Sequence, residues 1–92
     1  GPSVVIFSGR SEKARNQTIS WLSKYNIDYE KLCMRNEGDF RKDVIVKNEM
    51  YEQFIKDKYN VLAVFDDRLS VINHWESLGL FVFNVNQGRI DF

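Results

Sequence analysis

Apolar residues along the chain alternate between short continuous runs and longer segments with helical spacing. The continuous runs are residues 4–7, 61–65 and 80–83, with a weaker and more polar run at 31–34. Continuous apolar runs are typical of strands buried on both faces, as in a parallel sheet covered by helices. We therefore predict three such strands, and a fourth at 31–34 that is more edge-like.

The segments between these runs repeat apolar residues at spacings of three and four, the period of an amphipathic helix. The spacing predicts helices over about 12–25, 43–58 and 71–78, the last ended by a left-handed cap at Gly79. The crossovers are long enough to return each strand parallel to the one before. The predicted fold class is therefore α/β, a small three-layer sandwich in which helices flank a parallel β-sheet.

Length and charge narrow the class of protein. The 92 residues carry 13 Lys plus Arg and 13 Asp plus Glu. A chain this short makes one domain. We place it over 4–92, because residues 1–3 look like a tag remnant. A neutral chain does not attract polyanions as a whole, so nucleic acid would have to bind at a local basic site.

The chain has no apolar stretch near the ~20 residues of a membrane helix. The single cysteine, Cys33, fits a buried thiol in a reducing compartment, which predicts the cytoplasm.

Polar residues follow the predicted strands, at the edge where α/β proteins collect their functional groups. These residues are Ser8, Gly9, Arg10, Arg35, Asp66, Asp67 and Arg68, together with a polar tail at 84–89. Lys47, near the start of the second helix, points to the same edge if that helix runs antiparallel to the strands. We expect these groups to surround one site.

Asp66 and Asp67 leave an apolar strand side by side, where two carboxylates repel each other. Mg²⁺ would relieve that repulsion, because it binds one or two carboxylates together with waters and phosphate oxygens. The alternative is that Asp67 caps the following helix, which is the commoner case for an isolated pair of this kind.

Ser8, Gly9 and Arg10 combine a hydroxyl, an unhindered N–H and a guanidinium where a strand meets a helix, which suits a phosphate. The same residues also suit an ordinary turn, with Gly9 at positive φ and Ser11 as the helix cap.

Lys47 belongs to a locally basic region with Arg35, Arg41 and Lys42. Such a cluster is usually a solvated surface. Lys47, however, lies on a partly apolar helix face, where a lysine either extends to water or faces a phosphate.

Other reactive or aromatic residues are assigned to structure. Cys33 and His74 form neither a dyad nor a metal-ligand spacing, so we predict a core thiol and a surface imidazole. Trp21 and Trp75 lie on apolar helix stripes and are assigned to the core. The end of the tail, Gln87–Gly88–Arg89, is assigned to a solvated terminus.

Three segments together point to a known family. They are the strand ending in S-G-R at 8–10, the sequence R-N-E-G-D-F-R-K-D-V-I-V-K at 35–47, and F-D-D-R at 65–68. In order and spacing they resemble the phosphatase domains of bacteriophage polynucleotide kinase/3′-phosphatases, in the haloacid dehalogenase-like (HAD) superfamily. The resemblance implies a HAD-like fold and Mg²⁺-dependent chemistry on nucleic-acid 3′-phosphate ends, in a phage protein of the host cytoplasm.

The resemblance also implies roles for individual residues. Ser8 would hold a phosphoryl oxygen with help from Gly9 and Arg10, and Arg35 would contribute to phosphate recognition. Lys47 would stabilise the charge of the transferring phosphoryl group and orient the nucleophile. Asp66 and Asp67 would be the Mg²⁺ carboxylates.

The chain departs from the family at one motif. The family's D-x-D-G-T motif supplies the nucleophilic aspartate and the general acid/base, and nothing in these 92 residues matches it. Asp39 and Asp43 are not substitutes, because neither ends a buried strand before Gly-Thr. We therefore expect the chain alone to be inactive, as a pseudoenzyme would be.

The strand that carries this motif lies in the middle of the family's sheet. Without it, we predict that the first and third strands pair directly or that a second copy or partner chain supplies the strand. Three functions stay open: part of a split or truncated 3′-phosphatase, a non-catalytic module that binds phosphate or nucleic-acid ends, and an oligomeric interaction subunit.

Overall fold

The structure, a computed structural model, describes residues 2–85. The chain divides into two compact units, Gly1–Lys42 and Asp43–Phe92. The predicted β-α-β-α-β-α-β order is confirmed up to residue 85, and so is the α/β class with parallel strands. Residues 86–89 of the predicted tail lie outside the described part of the chain.

The first unit contains strand β1 (Val5–Ser11), a 3-10 turn (Glu12–Ala14), helix α1 (Arg15–Lys24) and strand β2 (Lys31–Arg35). β1 pairs in parallel with β2, and a bulge between Ser8 and Ser11 interrupts the ladder.

The bulge changes the interpretation of the first strand end. β1 runs four residues beyond its predicted end, so Gly9 and Arg10 lie in the strand and not in a strand-to-helix turn. Gly9 is not at positive φ. Ser11 does cap the next turn, as predicted, because its Oγ accepts a hydrogen bond from the Lys13 N–H at 3.1 Å.

The core of the first unit forms where α1 packs on the strands. Leu22 of α1 packs with Leu32 and Met34 of β2. This contact makes β2 more buried than β1, although the sequence marks β2 as the weaker, edge-like strand. Cys33 is buried as predicted, and burial raises the pKa of its thiol.

The prediction that Trp21 belongs to the core is wrong. Thr18 and Leu22 define the buried side of α1, and Trp21 points about 100° away from Leu22 around the helix. Its exposed ring contacts Tyr25, with 4.9 Å between the ring centroids.

The second unit contains α2 (Asp43–Met50), a π-helical turn (Tyr51–Ile55), β3 (Val64–Asp66), α3 (Leu69–Ser77) and β4 (Val82–Asn84). β3 pairs in parallel with β4. The buried apolar residues of the second unit are Val46, Met50, Ile55, Val71, Ile72 and Trp75. The prediction that Trp75 belongs to the core is therefore confirmed.

The cap that ends α3 contains Gly79, as predicted. Gly79 has φ +81°, and its N–H donates to the Glu76 carbonyl at 2.9 Å. The Leu80 N–H returns to the Trp75 carbonyl at 3.2 Å. These two bonds make a Schellman cap, which requires a left-handed residue at the glycine position.

The strand pairs within residues 2–85 are β1 with β2 and β3 with β4. Of the two arrangements predicted for the sheet, direct pairing of the first and third strands is therefore not seen in this part of the chain, and a strand supplied by a second copy or a partner chain stays a prediction. The prediction that the strands at 61–65 and 80–83 are buried on both faces is wrong. Phe65 and Phe83 are 67% and 46% exposed, and their rings stack 4.9 Å apart on a solvent-accessible side of β3 and β4.

Within residues 2–85, the helices are all too short or too polar to cross a membrane.

Candidate functional site

The predicted site residues fall into two groups, one in each unit. In the second unit, the Lys47 Nζ lies 3.2 Å from Asp43 Oδ2 and 4.0 Å from Asp66 Oδ2. The three side chains are only 13%, 11% and 9% exposed. Asp43 and Lys47 share a face of α2 because they are four residues apart, and Asp66 meets them from the end of β3. The ammonium of Lys47 therefore faces two carboxylates and does not extend into bulk water.

Asp66 is held by several donors besides Lys47. Its Oδ1 accepts the N–H groups of Asp67 at 2.9 Å and Arg68 at 3.4 Å. Its Oδ2 accepts the indole N–H of Trp75 at 3.1 Å, and Trp75 is itself a core residue of α3. Hydrogen bonds to the ionised form stabilise a carboxylate, so these donors offset the repulsion expected between the adjacent acids.

Asp67 is exposed at the turn between β3 and α3. The residue that precedes α3, Arg68, makes no side-chain capping bond. It is the Asp66 carboxylate that accepts N–H groups at this turn, as a capping residue would.

These two carboxylates suit one kind of metal site. In residues 2–85, three or more His, Cys, Asp or Glu side chains nowhere gather into a site that could hold a metal ion. Mg²⁺ at Asp66 and Asp67 stays a prediction, which depends on the preference of Mg²⁺ for one or two protein carboxylates with waters and phosphate oxygens completing its shell.

In the first unit, Arg35 ties three pieces of backbone together. Its Nε donates to the Gly9 carbonyl at 2.8 Å, and its Nη1 donates to the carbonyls of Asp39 at 3.1 Å and Arg41 at 2.5 Å. The end of β2 is thereby joined to the bulged end of β1 and to the loop that follows β2.

Ser8 and Arg10 meet at the same strand end. The half-buried Ser8 Oγ accepts the Arg10 backbone N–H at 3.1 Å, while the Arg10 side chain is exposed. A hydroxyl that accepts one bond still has its proton to donate. The structure thus brings Ser8, Gly9, Arg10 and Arg35 together, as the sequence predicted for the first two strand ends.

The loop after β2 carries an ion pair with two hydrogen bonds between the side chains. The Asp39 carboxylate accepts Nε and Nη2 of Arg41 at 2.9 and 2.7 Å, and also the Arg41 backbone N–H at 3.1 Å. The side-chain and backbone hydrogen bonds from Arg41 lower the pKa of Asp39 to about 2. The turn before it places Gly38 at φ +81°.

Several residues around Lys47 were not predicted as its neighbours from the sequence. Asp43 could have been found from its spacing, since an acid four residues before a lysine shares its helix face. Trp75 and Asn48 carry no such signal. The prediction of a surface His74 is wrong, because its half-buried Nε2 lies 2.6 Å from Asn48 Oδ1, a contact made across 26 residues of sequence by the packing of α2 and α3.

Comparison with known proteins identifies the family of the chain. The sequence model of the polynucleotide kinase PNKP phosphatase domain matches residues 1–92. The chain belongs to this family. It is also 41% identical over 91 residues to an Autographa californica nuclear polyhedrosis virus protein assigned as a bifunctional polynucleotide kinase/RNA ligase. That match covers 97% of this chain and 13% of the viral protein.

Two solved structures resemble this phosphatase domain. One is the Pnkp1/Rnl/Hen1 complex, with a TM-score of 0.88 over 90% of this chain, and the other is the Pnkp1/Rnl/Hen1 RNA repair complex, with 0.90 over 96%. Both matching chains are 42% identical to this one, which covers 29% of each. The resemblance drawn from the motifs and the HAD-like fold are therefore confirmed. This chain spans only a small part of each relative.

Proposed function

We propose that this domain holds the phosphate end of a nucleic acid for a polynucleotide 3′-phosphatase. The observation that carries the proposal is the placement of Lys47 between Asp43 and Asp66. A cation so little exposed loses much of its hydration, and nearby carboxylates offset that cost. Such an ammonium is set in position before substrate binds, as the stabilisation of a phosphoryl group requires.

Each site residue then has a role. Lys47 stabilises the negative charge of the transferring phosphoryl group, and Asp43 and Asp66 keep its ammonium in place. Asp66 and Asp67 would hold Mg²⁺, which supplies further positive charge to the phosphoryl oxygens when bound. In the first unit the Ser8 hydroxyl and the Arg10 guanidinium offer donors to phosphate oxygens, and Arg35 contributes to phosphate recognition while it fixes the backbone around them.

The nucleophile is assigned to another polypeptide segment, because these 92 residues contain no D-x-D-G-T sequence. We therefore expect the chain alone to release no phosphate. The structural relatives belong to a multi-protein RNA repair complex, which supports a partner chain and makes RNA 3′-phosphate ends the first substrate to test.

The test is complementation. The chain is mixed with a polypeptide that carries a D-x-D-G-T strand, and Mg²⁺-dependent release of phosphate from a 3′-phosphorylated oligonucleotide is measured. We expect the mixture to act and Lys47→Ala to lower its rate about 10²-fold or more. The matched control is Lys56→Ala, since Lys56 also pairs with an acid four residues earlier, Glu52, but both side chains are about half exposed. Activity no greater than that of either part alone would contradict the proposal.

A second candidate is a non-catalytic module that binds phosphate ends. The observation that favours it is the first unit, where Arg35 and Ser8 are held by hydrogen bonds to backbone groups and no nucleophile is involved. It predicts salt-sensitive binding of 3′-phosphorylated oligonucleotides by the chain alone, weakened by Arg10→Ala. Equal affinity for 3′-hydroxyl ends would rule it out.

A further inference from the structure

An exposed aromatic ring lies in the loop after β2. Phe40 is 94% exposed, more than any other large hydrophobic residue of the described chain. Apart from Gly38, the other residues from 36 to 43 are charged or carry an amide. Protein partners usually bury a contiguous apolar patch, and a single ring among charges does not form one. The surroundings of Phe40 therefore favour a ligand that is itself both flat and charged.

The loop presents this ring on a fixed backbone. Arg35 donates to the carbonyls of Asp39 and Arg41, the residues on either side of Phe40. The Asp39 carboxylate then closes back on the Arg41 N–H and guanidinium. A ring held in place by its neighbours loses little conformational entropy when a ligand stacks on it.

The charges beside Phe40 identify the class of ligand. Arg41 and Lys42 follow the ring directly, and both are exposed. The Arg41 guanidinium also binds the Asp39 carboxylate, so Lys42 contributes most of the positive charge beside the ring. Cations next to an exposed aromatic ring are the combination with which proteins bind single-stranded nucleic acid, the ring stacking on a base and the cations attracting the backbone. Arg35 also joins this loop to Gly9, beside the Ser8 and Arg10 donors of the same unit.

We infer that Phe40 stacks on a nucleobase close to the 3′-phosphate of the bound strand. The inference rests on the proposed function, because it takes the phosphate end to be held by the strand ends of the first unit. It assigns the loop a role in recognising the nucleic acid, in addition to the phosphate.

The test measures binding of the 92-residue chain to a fluorescein-labelled single-stranded RNA that ends in a 3′-phosphate. We expect Phe40→Ala to weaken binding about tenfold and Phe40→Trp to restore it. The matched control is Phe65→Ala, which removes another exposed ring, and circular dichroism checks that each variant is folded. Abasic nucleotides then replace the last three positions one at a time. At one of these positions, the abasic nucleotide should lower the affinity of the wild type about tenfold and leave the affinity of Phe40→Ala unchanged.

Three results would overturn the inference. The first is Phe40→Ala binding within twofold of wild type while Arg10→Ala or removal of the 3′-phosphate weakens binding, an outcome that leaves the proposed function intact. The second is an equal loss from Phe40→Ala on abasic and intact strands. The third is that Phe40→Ala no longer binds the D-x-D-G-T polypeptide while its binding of RNA is unchanged. That result would make Phe40 a contact to protein. A different result would separate the two proposals. If Phe40→Ala weakens RNA binding only when the base is present, but strands with a 3′-phosphate and a 3′-hydroxyl bind equally well, stacking is supported and the proposed function is contradicted.

Discussion

Replacement of Lys47 by methionine tests whether its ion pairs support the second unit. Lys47→Met keeps most of the length of the side chain but removes the charge between Asp43 and Asp66. The two carboxylates, only 11% and 9% exposed, would then face each other without the ammonium at 3.2 and 4.0 Å.

The expected loss follows from the burial of these groups. Exposed ion pairs contribute about 0–1 kcal/mol, while removal of one partner from a fully buried pair costs about 3–5 kcal/mol. The Lys47 group lies between these limits. Asp66 also keeps its bonds from Asp67, Arg68 and Trp75, which reduces the cost. We therefore expect Lys47→Met to lower the free energy of unfolding by about 2 kcal/mol.

Urea unfolding followed by circular dichroism measures this loss. Lys56→Met serves as the control, because the Lys56–Glu52 pair is about half exposed and its loss should cost at most about 0.5 kcal/mol. Adding Asp43→Asn to Lys47→Met should recover about 1 kcal/mol, since it removes one of the opposed charges. The reasoning is refuted if Lys47→Met costs no more than Lys56→Met.

Two further predictions concern the loop after β2 and the end of α3. Hydrogen bonds from Arg41 lower the pKa of Asp39 from 3.8 to about 2, so this pair stabilises the fold above pH 3.8 and the contribution is lost as pH falls through 2. An NMR titration should find the pKa of Asp39 near 2, and a higher pKa in Arg41→Ala, which loses the guanidinium bonds and keeps the backbone N–H bond; equal values would contradict the assignment. Gly79→Ala should cost about 1 kcal/mol in thermal unfolding, and Gly79→Asn less, because φ is +81°. An unchanged midpoint in Gly79→Ala would be evidence against the cap.

Local patterns predicted the elements and their order but were less successful with burial. The stop at Gly79 follows from residues within a few positions of it, and so does the cap at Ser11. Whether Trp21 or Phe65 is buried depends on which neighbour covers that side, and the pattern of the segment itself does not contain this information. The same limit explains why β2 is more buried than its sequence suggests.

The candidate site shows the same division. The family motifs singled out Ser8, Arg35, Lys47, Asp66 and Asp67, and the spacing within α2 would also have identified Asp43. The indole of Trp75 is nine residues from its Asp66 partner, and no periodicity predicts that bond. No sequence pattern shows, either, that Arg35 donates three hydrogen bonds to backbone carbonyls.

The amino-acid pattern was enough to predict the α/β class, the succession of strands and helices, and membership of the polynucleotide kinase phosphatase domain family. These depend on spacing and residue type along the chain, which short-range sterics and hydrophobic periodicity convert into structure. Packing in three dimensions brings Asp66 to the Asp43–Lys47 pair and holds Phe40, in the loop after β2, out in solvent. Those contacts come from packing between distant segments, where hydrogen bonds and burial choose among partners that the sequence leaves equivalent.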